Sequence, residues 1–306
     1  MKIISLSHVN KERTIIICLA TSPHGAVVAK EGLRFAQLLE AKPIFLNVGI
    51  DDENRRKALS AIIQGARGAE GGPIELLVRP GDPYSIISIA AAELQTEMIV
   101  MGALNRDPAL VRVWGSVARK IARRAACSVL LLSSASAHRP GDRIVAAIEL
   151  DGRSSQTMPM ILQIARQGQS ESIHFVREFS QNSTSVDEET SDYPITNEDY
   201  TLARQRSEQR RLADFLSAYE LEGLNIRIAA LPGREGMQVV DYARQQRADL
   251  VILPAPPRRL NFWDRFFRHP LETVLLDLPC DLLLQRPSKN NTWARAPLSN
   301  TSAANH

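Results

Sequence analysis

The sequence is poor in the residues that mark exported, membrane-spanning or metal-dependent proteins. Its 306 residues include three cysteines, too few and too scattered for a disulfide framework, and no two histidines at metal-ligand spacing. Aromatic residues make up only 5%, and no apolar run approaches the roughly twenty residues that span a bilayer. The GxSxG, GxxxxGK(S/T) and HExxH patterns are also absent. We therefore expect no metal site, no integral membrane segment and no familiar nucleophilic site.

The charge balance and the amino-terminal residues exclude two further classes. A net charge of +3 is small for this length, so the sequence does not indicate strong attraction to nucleic acid. Local clusters of arginine and lysine at 119–124 and 204–211 are typical of solvated helix faces. The first 13 residues lack the apolar core of a secretory signal, so we expect a cytoplasmic protein.

The sequence contains an internal duplication. Ile74–Gly102 can be laid over Ile226–Pro254 without a gap at an offset of 152 residues, and Ile15–Ala20 over Ile144–Glu149 at an offset of 129 residues. A shared register of this length is rare by chance, so we predict two related domains. The difference of 23 residues between the offsets predicts an insertion in the second copy, which we place in the polar, acidic stretch Ser180–Tyr200.

Each copy alternates strand-sized apolar runs with segments whose apolar residues have helical spacing. Continuous apolar strands joined by helical crossovers predict a parallel sheet covered on both faces. The predicted fold class is α/β, with two tandem doubly wound domains, each with a five-stranded parallel sheet. We place the domains at residues 1–135 and 143–286, and we expect the polar tail, residues 287–306, to be disordered.

The strongest candidate site follows the fourth strand of the first copy. The chain there reads Gly102-Ala-Leu-Asn105, and after nine intervening residues Gly115-Ser116-Val117 opens a helix. Glycine lets a ligand approach the backbone closely, and the first turn of a helix offers free amides and partial positive charge to an anion. This pattern suits the phosphates of a nucleotide. The alternative is that Gly102 only ends a strand and Ser116 only caps a helix.

With this GxxN pattern, the nine-residue spacer and the GSV triplet, the sequence resembles the universal stress protein family over both copies. The resemblance implies an adenine nucleotide alpha hydrolase-like fold that binds ATP, without catalytic residues. Two departures are visible: Asn105 replaces a family glycine, and Ala20-Thr21-Ser22 stands where family members usually have an acidic residue. The candidate nucleotide-binding residues are Ala20, Thr21, Ser22, Val48, Gly102, Asn105, Gly115, Ser116 and Val117.

The second copy has lost this pattern. Pro254 stands in the place of Gly102, two further prolines follow within three residues, and no glycine-serine pair precedes the last helix. Proline lacks an amide donor, so main-chain groups cannot rebuild the phosphate site there. Asp151 keeps the acidic position after the first strand, without its partners. We therefore expect ATP or a related nucleotide only in the first copy.

Three functions are compatible with these features. The leading hypothesis is a non-catalytic regulatory or stress-response protein, whose copies pair through their last strands, Ser128–Leu132 and Asp281–Leu284, as an internal pseudo-dimer. Such a chain is expected to be a monomer or a homodimer of these units. A weak ATPase or nucleotide switch is the second, with Asp107 as its only evident carboxylate. The third is an accessory partner of a membrane transporter, with the basic-aromatic segment Phe262–Phe267 as its contact surface; that segment otherwise fills the empty pocket.

Overall fold

Strands and helices alternate throughout the computed structural model, which describes residues 12–22, 24–67, 75–102, 115–133, 141–180, 197–233, 236–255, 274–275 and 280–287. The elements of the first half are β1 (Thr14–Cys18), α1 (Gly25–Leu38), β2 (Lys42–Val48), α2 (Glu53–Arg67), β3 (Leu76–Arg79), α3 (Pro83–Glu93), β4 (Met98–Gly102), α4 (Ser116–Arg124) and β5 (Ser128–Leu132). Those of the second half are β6 (Arg143–Ala147), α5 (Gly152–Gln167), β7 (Ser172–Phe179), α6 (Asn197–Leu216), β8 (Ile226–Pro232), α7 (Gln238–Gln245), β9 (Leu250–Pro254) and β10 (Asp281–Gln285).

The strands form one ten-stranded sheet in the order β3-β2-β1-β4-β5-β10-β9-β6-β7-β8. Pairing is parallel within each half, and the order in the second half mirrors that in the first. In each half the chain winds outward from the first strand in one direction and then returns to build in the other, which is the doubly wound topology. The predicted fold class is therefore confirmed, including its five parallel strands per half.

The two halves meet through an antiparallel pair, β5 with β10, as the sequence predicts. Leu130 lies opposite Leu283, and these leucines occupy the same position in their strands because Ser128 and Asp281 each begin one. A pair centred on equivalent residues has local two-fold symmetry, which is the geometry of a pseudo-dimer. The interface is also polar at its end, where the buried carboxylate of Asp281 accepts a hydrogen bond from the backbone N–H of Ser133 at 2.6 Å.

Two layers of apolar side chains, one on each face of the sheet, form the core. Successive side chains of a strand point to opposite faces of the sheet. Ile15 and Ile17 therefore belong to the layer under α1, α2, α5 and α6, whereas Ile16 belongs to the layer under α3, α4 and α7. Both layers run through both halves. On the first face Gln163 of α5 donates to the carbonyl of Leu38 at 3.0 Å, which joins helices of the two halves.

The second half differs from the first in the connection after its second strand and in the helix that follows it. β7 ends at Phe179 and α6 begins at Asn197, so the last four residues of the stretch predicted to hold the insertion, Asn197–Tyr200, are helical, and residues 181–196 lie outside the described residues. α6 has 20 residues, whereas the equivalent α2 has 15. The tail after Pro287 and the segment Phe262–Phe267 also lie outside the described residues, and the domain boundaries remain predictions. Among the helices that the structure describes, none has the length and apolar character of a membrane span.

Candidate functional site

The candidate site lies where the winding of the first half reverses, between β1 and β4. These strands are parallel neighbours, with Ile15 opposite Met98 and Ile17 opposite Val100, so their carboxyl ends share one edge of the sheet. α1 follows β1 on one face and α4 follows β4 on the other. Because the two connections diverge, they leave a crevice above the strand ends, which is where ligands bind in open α/β sheets.

The turn from β1 into α1 forms one wall of this crevice. The backbone N–H of Gly25 donates to the carbonyl of Ser22 at 2.8 Å, and a Cβ on Gly25 would lie only 2.4 Å from the carbonyl oxygen of Ala20. A glycine is therefore required for so tight a turn. The turn leaves Ala20 and Thr21 exposed and Ser22 half-buried.

Gly102 closes β4 directly beneath α1. A Cβ on Gly102 would lie 2.7 Å from Cγ2 of Val28, a residue of α1 that is buried. This approach is closer than real Cβ atoms show, so packing of α1 alone is a sufficient reason for glycine here. Gly102 is therefore needed for the contact between β4 and α1, as the alternative to a ligand role requires.

The other wall is the amino terminus of α4. Gly115 is the N-cap and Ser116 is the first helical residue, so Ser116 does not occupy the N-cap position considered for it in the sequence. Its side chain is exposed and makes no hydrogen bond within the part of the chain that the structure describes. The free amides of the first turn and the helix dipole both favour an anion at this end of α4.

A polar pair at the carboxyl end of β2 was not recognised in the sequence. The amide nitrogen of Asn47 donates to the carbonyl of Leu19, just after β1, at 2.7 Å, and its oxygen accepts from Nη1 of Arg55 at 3.2 Å. Asn47 is only 4% exposed. Arg55 belongs to the first turn of α2 and lies across Gly49, where a Cβ would meet Nη1 at 2.4 Å. The signal that could have identified this pair is the asparagine within the apolar strand β2.

These contacts define where the sequence-predicted residues lie. Ala20, Thr21 and Ser22 form the β1–α1 turn, Val48 ends β2, and Gly102 ends β4. Gly115, Ser116 and Val117 begin α4. The first five therefore share the carboxyl edge of the sheet, while Asn105 and Asp107 lie outside the described residues.

The equivalent edge of the second half is occupied by its own charged side chains. Asp151 is the N-cap of α5 and accepts from the backbone N–H of Ser154 at 2.9 Å. Arg153 bonds both Asp151, at 2.6 Å, and Glu149, at 2.5 Å. Burial raises the pKa of Asp151, but the Ser154 amide and the Arg153 guanidinium outweigh it and leave this pKa below its usual range. The acidic residue that the second half retains is therefore engaged by its own helix.

Comparison with known proteins finds a family model that matches part of the first half. Residues 50–133 match the universal stress protein family, which confirms the resemblance that the motifs predict. No curated protein matches the sequence.

Solved structures extend the likeness in fold to both halves. A putative universal stress protein from Pseudomonas aeruginosa UCBPP-PA14 is 18% identical with a TM-score of 0.64, covering 93% of this chain and 96% of that chain. A universal stress protein from Archaeoglobus fulgidus DSM 4304 is 13% identical with a TM-score of 0.60, covering 90% and 97%. The cytoplasmic domain of a prokaryotic cation chloride cotransporter is 15% identical with a TM-score of 0.52, covering 92% and 99%. At these identities the likeness establishes the fold alone.

Proposed function

We propose that the chain, in which residues 50–133 match the universal stress protein family, is a stress-response regulator that binds ATP or a related adenine nucleotide in its first half. The second half acts as a permanent pairing partner and binds no nucleotide at the equivalent edge. Nucleotide occupancy of the first half is the regulatory signal in this proposal, and no catalytic residue is assigned.

The observation that carries this proposal is the first turn of α4 beside the crevice. Ser116 presents an exposed hydroxyl with no hydrogen bond in the described part of the chain, next to the free amides that follow Gly115. Phosphate oxygens accept hydrogen bonds from both kinds of group, and the helix dipole adds to the attraction. The exposed Ala20 and Thr21 leave room on the opposite wall for the nucleoside.

The contrast between the halves supports confining the ligand to the first. In the second half the guanidinium of Arg153 bonds both Glu149 and Asp151, and one cation with two carboxylates keeps a net negative charge, which disfavours a phosphate there. Pro254 ends β9 in the position of Gly102 and supplies no amide donor. If only the first half binds nucleotide, each chain therefore binds one nucleotide.

Calorimetric titration of the full chain with ATP, with and without magnesium, tests this proposal. We expect one site per chain and about a tenfold weaker affinity for Ser116→Ala, because a hydrogen bond to a charged group is lost. The matched control is Ser155→Ala, which removes an exposed serine from the first turn of α5 in the second half and should leave the affinity unchanged. Absence of binding at millimolar ATP would refute the proposal.

Two further measurements separate the remaining functions. Release of ADP during the titration would indicate a weak ATPase in place of a passive regulator. For the accessory-partner hypothesis, co-purification with a transporter that is lost in Trp263→Ala while the fold persists would favour a contact role for Phe262–Phe267. General loss of stability in that variant would favour a role in filling the pocket.

A further inference from the structure

The polar pair Asn47–Arg55 places a guanidinium at the edge of the candidate site. Arg55 is anchored at one nitrogen only, since Nη1 donates to Asn47 while Nη2 makes no hydrogen bond within the described residues. Its Nε is buried and likewise makes no hydrogen bond. The side chain is 31% exposed, so solvent or a ligand reaches the outer side of the guanidinium.

The neighbouring carboxylates leave this cation available. Asp51 is taken by Arg56, whose guanidinium donates to both of its oxygens at 2.6 and 2.7 Å. Asp52 accepts the backbone N–H of Arg55 at 2.8 Å, and its other oxygen lies 3.8 Å from Nε of Arg55, beyond hydrogen-bond distance. Arg55 is therefore partly screened by Asp52 but retains donors for another acceptor.

The position of Arg55 relative to α4 suggests what that acceptor is. Asn47 bonds Leu19, so Arg55 lies above the end of β2, while the amides after Gly115 lie beyond the end of β4. Parallel strands are about 4.8 Å apart, so these two ends are separated by about 10 Å, with β1 between them. A ligand that reaches both positions carries an anionic group at each end and a sugar above β1.

We propose that Arg55 makes the first-half site selective for an adenine nucleotide that carries a second phosphate on its ribose. This inference rests on the proposed function, because it takes the 5′-phosphate to lie at the amino terminus of α4. In doubly wound folds an acidic residue at the end of the second strand selects the free ribose hydroxyl, whereas a nearby arginine accommodates a ribose phosphate. The two carboxylates that follow β2 are engaged, Asp51 by the guanidinium of Arg56 and Asp52 by the backbone N–H of Arg55, and no acidic residue follows β1. The planar guanidinium binds phosphate through paired hydrogen bonds.

Binding of AMP, adenosine 3′,5′-bisphosphate and adenosine 2′,5′-bisphosphate to the full chain tests this assignment. We expect at least one bisphosphate to bind about tenfold or more tightly than AMP, the effect of added hydrogen bonds to a charged group. In Arg55→Gln this preference should fall to within about twofold. Arg55→Lys should retain part of the preference, because lysine keeps the positive charge but cannot form the paired hydrogen bonds of a guanidinium. Circular dichroism establishes that each variant is folded.

The matched control is Arg56→Gln. It removes the same charge from the next residue along the chain, whose side chain bonds Asp51. The preference should survive in this variant, and an equal loss in both variants would overturn the role of Arg55 in favour of a general charge effect. If AMP, ATP and the bisphosphates bind the wild-type protein equally, the inference fails and the proposed function stands. If no nucleotide binds, both fail.

Discussion

Replacing Gly102 by alanine tests whether the glycine at the end of β4 is required by packing or by a ligand. The added Cβ would lie 2.7 Å from Cγ2 of Val28, whereas ordinary contacts begin at 3.4 Å. Val28 is only 5% exposed, and a valine in a helix has one strongly preferred rotamer, so it cannot turn away. α1 must therefore shift relative to β4. The backbone of Gly102 does not have a positive φ, so alanine adds no local strain.

Overpacking of this kind costs about 1–3 kcal/mol, and we expect Gly102→Ala to lower the free energy of unfolding by about 2 kcal/mol. Val28→Ala alone should cost about 2 kcal/mol, because it removes two buried methyl groups and leaves a cavity. In the double variant the new methyl group at residue 102 occupies space vacated at residue 28. The double variant should therefore be at least about 1 kcal/mol more stable than the sum of the single effects predicts.

Urea unfolding of the four proteins measures this coupling, provided that the slopes agree. Additive effects within about 0.4 kcal/mol would refute the packing argument. Titration of the double variant with ATP then separates the two roles of Gly102. Recovered binding assigns the glycine to packing alone, whereas binding that stays lost while stability returns assigns it to close approach of the ligand.

Three further predictions concern other parts of the fold. The buried carboxylate of Asp249 accepts from the backbone of Arg143 at 3.0 Å and from its guanidinium at 3.3 Å, so Asp249→Asn should lower the free energy of unfolding by about 2 kcal/mol in urea titrations; a neutral effect would contradict this. Hydrogen bonds from the backbone and hydroxyl of Ser85 hold the pKa of Asp82 below its usual range. The difference in stability between wild type and Asp82→Asn should therefore be complete above about pH 5 and should fade as the pH falls through the native pKa of Asp82. A difference in thermal unfolding that does not change with pH would argue against this. Burial of the Cys18 thiol raises its pKa to about 12, although the residue as a whole is only half-buried. At pH 8 this thiol should therefore react with DTNB much more slowly in the native protein than after unfolding, and equal rates in the two states would contradict the raised pKa.

The overall fold follows from the sequence because it depends on patterns that repeat along the chain. The duplication at an offset of 152 residues places β4 opposite β9 in the alignment, and both strands begin and end at equivalent residues. Strand ends are less predictable. β1 ends at Cys18, two residues before the end of the apolar run, because Ala20 already belongs to the tight turn that Gly25 allows. Apolar residues outside a strand still contribute to the core, so hydrophobicity alone overestimates its length.

The candidate site is only partly predictable because its side-chain contacts join distant segments. Glycine and serine at the start of α4 are visible as a motif, since backbone amides need no particular partner. The link from Leu19 through Asn47 to Arg55 depends on the pairing of β1 with β2 and on the entry angle of α2, and neither is visible in a local pattern. A polar residue within a buried strand nevertheless requires a partner, so Asn47 is the position at which such a contact should be sought.

The two halves share the same turns but differ in which residue supplies the carboxylate that caps the next helix. Gly81 and Gly233 are equivalent in the duplication and share an unusual backbone, with φ of 134° and 142°. The residue after Gly81 is Asp82, which caps α3, but the residue after Gly233 is Arg234, which has no carboxylate to offer α7. Glu178 supplies it from β7, accepting the backbone N–H groups of residues 236 and 239 at 2.8 Å each. The equivalent residue in the first half is glycine, and the space beside that glycine admits the guanidinium of the first turn of α2. In the second half, therefore, the end of β7 serves the amino terminus of α7, whereas in the first half the end of β2 is free to face a ligand.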